Sequence, residues 1–292
     1  MDRMRRAVRG VPWVAFVGLG ALACSGTADG GGGDPMSPPA ANPYGNGSRV
    51  SELLGPATWE NLDNQDSTNC ASIPPMREVA IDGVTVTAID RYDETGEIGS
   101  QGNIYVQDAM AAYGDPPVPY SGVTVYDPSF SPPDLRLVEG DVVDVFGVLM
   151  EFQGPTTSYF SYCRTLPEIG GTMGFRFEAP ATVPVAIQAS DLASYEGMRR
   201  WLGMLVRIDN LTLGDDPYDP PTGRYSIRID VGGGVQTQDI PTLANEFFDL
   251  KTFLEGTGLP LSAGTTFPSV TGVVTYFYGT HISPRSAADI VL

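Results

Sequence analysis

Apolar and polar residues alternate in short runs along most of the chain from about Arg77 onward, and Gly, Pro, Asp and Asn separate the runs. A period of two is typical of β-strands, because successive side chains point to opposite faces of a sheet. Helical periodicity is scarce. The pattern therefore predicts a mostly β protein.

The first series of predicted strands lies between residues 84 and 152 and reads VTVTAID, NIYVQD, SGVTVYD and DVVDVFGVLMEF. In the first run, Val84, Val86 and Ala88 are expected to face the core together. In the last run, Gly147 interrupts a long apolar stretch and predicts a bulge or bend. Such a strand suits a small closed barrel, whose strands bend sharply at corners.

A second series follows a proline-containing connector and reads GMLVRIDNLTL, RYSIRIDV and SVTGVVTYFYGTHI, between residues 203 and 282. Both series contain a Gly-Val-aliphatic segment, at Gly147 and at Gly272. We therefore predict two similar β units in tandem, over residues 51–178 and 179–292, the second including the connector.

The beginning of the chain has the layout of an export signal, with four arginines in the first ten residues and then a short apolar run. Residues Ala21 to Cys24 resemble the lipobox of bacterial lipoproteins, in which the cysteine is lipidated. We expect a signal peptide over 1–23 and a lipidated, flexible Gly/Pro-rich tether over 24–50. The alternative is an ordinary signal that leaves Cys24 as a free thiol.

With Cys24 assigned to lipid, Cys70 and Cys163 remain. Disulfides persist outside the cytoplasm, so these two cysteines are expected to pair. Two buried thiols are the alternative.

The order of the strand motifs resembles the OB-fold-like module of secreted bacterial nucleases and surface lipoproteins. The matching pieces are VTVTAID, NIYVQDA, GVTVYD, LVEGDVVDVFGVLMEFQGPT, SYEGMRRWLGMLVRIDNLTL and FPSVTGVVTYFYGTHISPRSAADI, which cover most of residues 77–292. The resemblance implies two tandem OB-fold-like β-barrels and a cell-surface setting. It implies no nuclease chemistry, because no catalytic nuclease domain accompanies the module.

The charge balance makes nucleic acid an unlikely partner. The chain has 17 Lys and Arg against 35 Asp and Glu, a net charge of −18, and loss of the arginine-rich signal would make it more acidic. Phosphate backbones are repelled on average by such a surface. A nucleic-acid site would need a local arginine patch, for which the candidates are Arg199, Arg200, Arg207, Arg224 and Arg228.

Aromatic side chains are the best candidates for a binding site, because OB barrels bind polymers by stacking on ring faces. The main candidates are Tyr105, Tyr126, Tyr276 and Tyr278, and Tyr159 and Tyr162 are further ones. Tyrosines are also ordinary filling or rim residues in barrels, so their exposure decides between the two interpretations.

Catalytic and metal-binding signatures are weak. His281 is the lone histidine and has no nucleophile motif beside it. Asp215, Asp216 and Asp219 are weak calcium candidates in a turn where aspartate is common for local reasons. Asp141, Asp144 and Glu151 are the acidic residues that a hydrolase would use. We expect no cofactor and no resident metal.

The sequence thus predicts a non-enzymatic binding or adaptor module, lipid-anchored in the cell envelope and most simply in the outer membrane. Its expected partners are the membrane, through the lipid, and another envelope protein or polymer. Two alternatives remain: an OB-type protein that binds nucleic acid or polysaccharide, and an envelope hydrolase with carboxylate or metal-assisted chemistry.

Overall fold

The computed structural model describes residues 47–55, 73–92, 102–109, 118–176, 183–220 and 224–292. This part of the chain is mostly β, which confirms the fold class in its general form. The helices are short: α1 (Val50–Leu54), α2 (Tyr195–Arg199) and α3 (Leu250–Thr257). Single 3₁₀ turns lie at Ser161–Cys163, Ala189–Leu192, Thr237–Asp239 and Ala287–Asp289.

The first sheet is a closed ring of five strands. They are β1 (Arg77–Ile89), β2 (Ile104–Asp108), β3 (Gly122–Ser131), β4 (Val142–Phe152) and β5 (Leu166–Arg176). The order around the ring is β1-β2-β3-β5-β4, and β4 pairs back with β1. The contact between β3 and β5 is parallel, while the other pairings of the ring are antiparallel.

The second sheet contains seven strands. They are β6 (Val185–Ile187), β7 (Leu205–Thr212), β8 (Ser226–Arg228), β9 (Thr242–Ala244), β10 (Thr266–Tyr276), β11 (Thr280–Ser283) and β12 (Ile290–Val291). Their order is β6-β7-β10-β11-β9-β8, with β12 beside β10. The sheet curls so that Leu213 after β7 forms an antiparallel bridge with Ile229 after β8.

Five strands of the second sheet repeat the order of the first ring. The chain passes through β7, β8, β9, β10 and β11, and these pair in the sequence β7-β8-β9-β11-β10-β7, once the bridge after β8 is included. The third and fifth members, β9 and β11, are again parallel. Helix α3 connects β9 to β10. Asp249 caps the N-terminus of this helix, because its carboxylate accepts a hydrogen bond from the backbone N–H of Thr252.

Each sheet encloses its own apolar core. Val84, Val86, Val125 and Ile169 are among the residues inside the first ring. Ala88 was predicted to join them, but a β-bulge between Val86 and Ala88 inserts one residue. The insertion moves Ala88 to the outer face, where it packs in a separate cluster.

Gly147 has a different role from the predicted bulge. Strand β4 continues through it without a break, and Gly147 pairs with Gly171 of β5. A Cβ atom at Gly147 would overlap the carbonyl oxygen of Gly170, and one at Gly171 would overlap that of Phe146. Glycine is therefore required here because two backbones approach closely.

Candidate binding site

The six candidate tyrosines divide into buried and exposed residues. Tyr105 and Tyr276 are buried, so neither presents a ring face to a ligand. Tyr126 and Tyr278 are about half exposed, as are Tyr159 and Tyr162. Because burial excludes stacking on a bound ligand, Tyr105 and Tyr276 leave the set of candidates.

Four exposed aromatic residues come together from two loops, and we call them the loop aromatic patch: Tyr159, Tyr162, Phe277 and Tyr278. They are 62%, 48%, 44% and 47% exposed, respectively. The first two lie between β4 and β5 of the first ring, and the other two lie at the tip of the β10–β11 hairpin. The two loops occupy the same position in the repeated strand order.

Phe160 holds the two loops together beneath the patch. Its buried ring meets Phe277 at 5.9 Å and Tyr278 at 5.1 Å, both edge to face. It also contacts Phe152 and Tyr276. The Tyr278 hydroxyl donates a hydrogen bond of 2.5 Å to the carbonyl oxygen of Ser158. These contacts fix the exposed rings relative to one another.

The backbone beneath the patch is unusual. Tyr162, Cys163 and Tyr278 have positive φ angles of 61°, 54° and 57°, a region that residues with a side chain seldom adopt. Such strain persists only where surrounding contacts impose it, and it clusters at functional sites. The observation therefore favours a functional origin for these exposed rings.

A polar pair lies beside the patch. Arg164 donates to Asp239 at 2.5 Å, and its guanidinium group also lies 5.6 Å from the Tyr162 ring centroid. Both charged side chains are mostly buried. Because the cation is paired, the patch offers hydrogen-bonding groups beside aromatic rings without an unbalanced positive charge.

The second sheet covers the outer face of the first ring around Ala88 of β1 and Tyr105 of β2. Tyr105 and Ala88 pack there against Leu205, Phe247 and Val273. The backbone N–H of Leu205 donates to Gln107 Oε1 at 3.0 Å. In OB-folds this face and the loops beside it bind extended ligands. That part of the face is therefore closed to ligands in this protein, whereas the loop between β4 and β5 carries exposed residues.

A buried polar network joins the two sheets behind that face. The Glu246 carboxylate accepts hydrogen bonds from Tyr105 Oη at 2.7 Å, Thr275 Oγ1 at 2.5 Å and Ser283 Oγ at 2.9 Å. Burial raises the pKa of Glu246, but Arg224 and the hydroxyl donors outweigh burial and lower it below its usual value. These contacts are structural and leave the carboxylate ionised.

His281 occupies a structural position. Its Nδ1 lies 2.7 Å from the Thr242 hydroxyl and its Nε2 lies 3.2 Å from the carbonyl oxygen of Phe277. Burial lowers the pKa of His281 to about 4, so the ring is neutral at physiological pH. Its recorded partners are a threonine and a carbonyl, which do not form a hydrolytic triad.

The calcium candidates are engaged in other contacts. Asp215 pairs with Arg228 at 3.2 Å, and Asp219 pairs with Lys251 at 2.5 Å. The backbone N–H of Asp216 donates a hydrogen bond of 2.9 Å to Asp215 Oδ1. No group of three or more potential metal ligands occurs among the residues that the structure describes.

The acidic residues considered for hydrolysis are also dispersed among separate contacts. Asp141 accepts from the backbone N–H of Val138, and Asp144 pairs with Arg176 at 2.5 Å. Glu151 is buried against Arg199 at 3.2 Å, and burial raises its pKa. A small depression of about 230 Å³ in the connector contains Asp191, which caps a backbone N–H, and Glu196, which pairs with Arg200.

The five arginines considered for nucleic acid do not form a free basic patch. Arg199 is buried with Glu151. The other four form ion pairs too: Arg200 with Glu196, Arg207 with Asp209, Arg224 with Glu246 and Arg228 with Asp215. Each positive charge is therefore compensated by a carboxylate.

The predicted lipidation site Cys24, the signal peptide and nearly all of the tether lie outside the described residues, as does Cys70. Cys163 is buried and disulfide-bonded. Its pairing with Cys70 stays a prediction. No described helix is long and apolar enough to cross a bilayer.

Sequence reasoning missed three residues that the structure makes prominent. Phe277 was passed over because only tyrosines were considered, although it precedes Tyr278 in the same turn. Phe146 lies on β4 and is 51% exposed. Glu168 lies on β5 and is buried, and burial together with Glu151 raises the pKa of its carboxyl group to about 7. The strand pattern of β4 contained the signal for Phe146, since its neighbours Val145 and Gly147 point inward.

Comparisons with known proteins give little. No protein-family model matches the chain, and no curated protein matches it. Among solved structures, a deletion mutant of the single-stranded DNA-binding protein from Thermus aquaticus aligns with 15% identity over 70% of this chain and 90% of that chain. The TM-score is 0.20, which is too low to carry an argument about fold or function.

Proposed function

We propose that this protein is a non-enzymatic binding module built from two OB-type rings, and that the loop aromatic patch binds a cell-envelope polysaccharide. The repeated strand order, with a parallel third and fifth strand in each ring, supports the tandem OB assignment. The observation that carries the function is the convergence of four exposed aromatic rings from two loops.

A saccharide fits the patch better than a nucleic acid does. Sugar rings present flat faces of C–H groups that pack on aromatic rings, and their hydroxyls bond to polar groups such as Arg164 and Asp239. A nucleic acid needs uncompensated positive charge along its phosphates. The chain has a net charge of −18, and the five candidate arginines are paired.

The setting is proposed from the sequence. Lipidation at Cys24 would tether the two rings to the outer membrane through a flexible segment of about 25 residues, and the patch would then meet envelope polymers within the reach of that tether. A module held in this way would link the membrane to the polymer without chemical change in either.

Sedimentation with purified, insoluble peptidoglycan tests the proposal. The full chain is expected to sediment with the polymer, and Phe277→Ser with Tyr278→Ser is expected to lower the affinity by about tenfold or more, because truncation of an aromatic anchor at a binding surface costs about 2 kcal/mol or more. Tyr218→Ser is the matched control, since Tyr218 is 66% exposed and lies outside the patch.

Equal sedimentation of the wild type and the double variant would contradict the proposal, and so would the absence of wild-type sedimentation. Equal circular dichroism spectra and melting temperatures of the two proteins ensure that a loss of binding does not reflect unfolding.

A further inference from the structure

The outward positions of β5 form a shallow trough at the surface of the first ring. Ile169 and Met173 point into the core, so Glu168, Gly170 and Thr172 point outward. A Cβ atom at Gly170 would meet no other atom within 4 Å. The floor of this β5 trough is therefore open above Gly170.

Exposed aromatic residues flank the trough on both sides. Tyr126 of β3 pairs with Gly170, and Phe146 of β4 pairs with Thr172. They are 52% and 51% exposed. Because β3 and β4 are each one strand spacing from β5, the two side chains belong to strands about 10 Å apart. The trough thus has a ring on either side of a nearly bare floor.

The inner end of the trough contains a mostly buried carboxyl group and a buried hydroxyl without a partner. Glu168 lies between Thr124 of β3 and Met150 of β4, and the residue is only 6% exposed. Among the described residues, the Thr124 hydroxyl is buried and has no hydrogen-bond partner. Native proteins seldom leave such groups unpaired, because desolvation without a hydrogen bond is unfavourable.

We propose that the β5 trough is a second saccharide-binding site, distinct from the loop aromatic patch. A neutral sugar chain lies along β5, its rings pack on Tyr126 and Phe146, and a hydroxyl or acetamido N–H donates to Glu168. The negative charges of Glu78 and Asp127 beside the trough disfavour a polyanion. The class of ligand is taken from the proposed function. The site itself consists of residues outside the loop aromatic patch.

Calorimetric titration with the β-1,4-linked hexamer of N-acetylglucosamine tests the inference. The full chain is used with Phe277→Ser and Tyr278→Ser already present, so that binding at the patch is removed. We expect residual binding in this background. Gly170→Val should abolish it by filling the floor. At pH 8.5, where the Glu168 carboxyl group is ionised, Glu168→Gln should weaken it by about tenfold through loss of a charged acceptor.

The control in the same background is Tyr218→Ala, which should leave the affinity unchanged. Valine suits an open strand position, so an unchanged melting temperature of Gly170→Val shows that the fold is intact. Unchanged affinity in both trough variants overturns the inference, and so does complete loss of binding in the background while the wild type still binds. If only the proposed role of the loop aromatic patch is wrong, the Phe277→Ser, Tyr278→Ser variant binds the hexamer as tightly as the wild type does.

Discussion

Burial of individual charged groups determines how this protein should respond to pH. Burial, with a further contribution from Glu151, raises the pKa of Glu168 from 4.5 to about 7. The folded state therefore holds a proton at Glu168 that the unfolded chain releases between about pH 4.5 and 7. The neutral carboxylic acid is the form that favours folding.

The stability of the protein is therefore expected to fall as pH rises through this window. A shift of this size corresponds to at most about 3.5 kcal/mol once the pH exceeds 7, at about 1.4 kcal/mol per pKa unit. Glu168→Gln should remove this decline. Urea unfolding at pH 5 and pH 8 measures it, and an equal decline in both proteins would show that Glu168 is not its source.

Tyr105 is expected to matter for stability and not for binding. Tyr105→Phe removes the hydroxyl that donates to the buried Glu246 carboxylate. Loss of a hydrogen bond to a charged group is expected to lower the free energy of unfolding by about 1.5–3 kcal/mol. Tyr126→Phe, at an exposed position, is the control and should change it by less than about 0.5 kcal/mol. Equal urea midpoints for the two variants would contradict this role of Tyr105.

At the scale of elements, the close approach of β4 and β5 closes the first ring. Gly171→Ala places a methyl group against the carbonyl oxygen of Phe146, whereas Gly170→Ala places one in open space. We expect the first change to destabilise the protein by about 1–3 kcal/mol, as overpacking does, and the second to be nearly neutral. Thermal unfolding of the pair checks this, and similar melting temperatures would refute the requirement for glycine.

The strands that sequence predicted well are those whose alternation is uninterrupted. Strands β2, β4, β7 and β8 fall within the predicted runs, which are rich in β-branched residues. The last predicted run, 269–282, omits the first three residues of β10 and joins it to β11. Strand β5 was not predicted, since LPEIGGTMGFR has a proline and three glycines, residues that strands normally avoid. Among those glycines, Gly171 satisfies a close backbone contact with β4, which local patterning cannot reveal.

The candidate site was only partly accessible from sequence for the same reason. Tyr159, Tyr162 and Tyr278 were predicted as possible stacking residues, and they do lie at the exposed loops. Tyr105 has the same local context as an exposed strand residue. It is buried because the second sheet covers the outer face of β2, and a contact between distant parts of the chain is invisible to short-range patterns.

At the scale of the whole molecule, the packing of one sheet on the other redirects binding. It closes the outer face around Ala88 of β1 and Tyr105 of β2, and it brings two loops from different rings together at Phe160. A single ring would present half of the loop aromatic patch. The tandem arrangement is therefore what creates the complete patch in this account.

The proposed anchor belongs to this scale as well. Cys24→Ser should release the protein from the membrane fraction into the soluble envelope fraction, because the lipid chains supply the membrane affinity. Fractionation of cells that express the wild type and the variant measures this. Retention of the variant in the membrane would mean that something other than Cys24 holds it there.

The central claim is that the loop aromatic patch binds a neutral polysaccharide. The most direct measurement compares the affinity of the full chain for a neutral envelope-type hexasaccharide and for a single-stranded oligonucleotide at low and high salt. We predict saccharide binding that is insensitive to salt and is weakened by about tenfold or more in the Phe277→Ser, Tyr278→Ser variant. Tighter binding of the oligonucleotide, falling steeply as salt rises, would contradict the account.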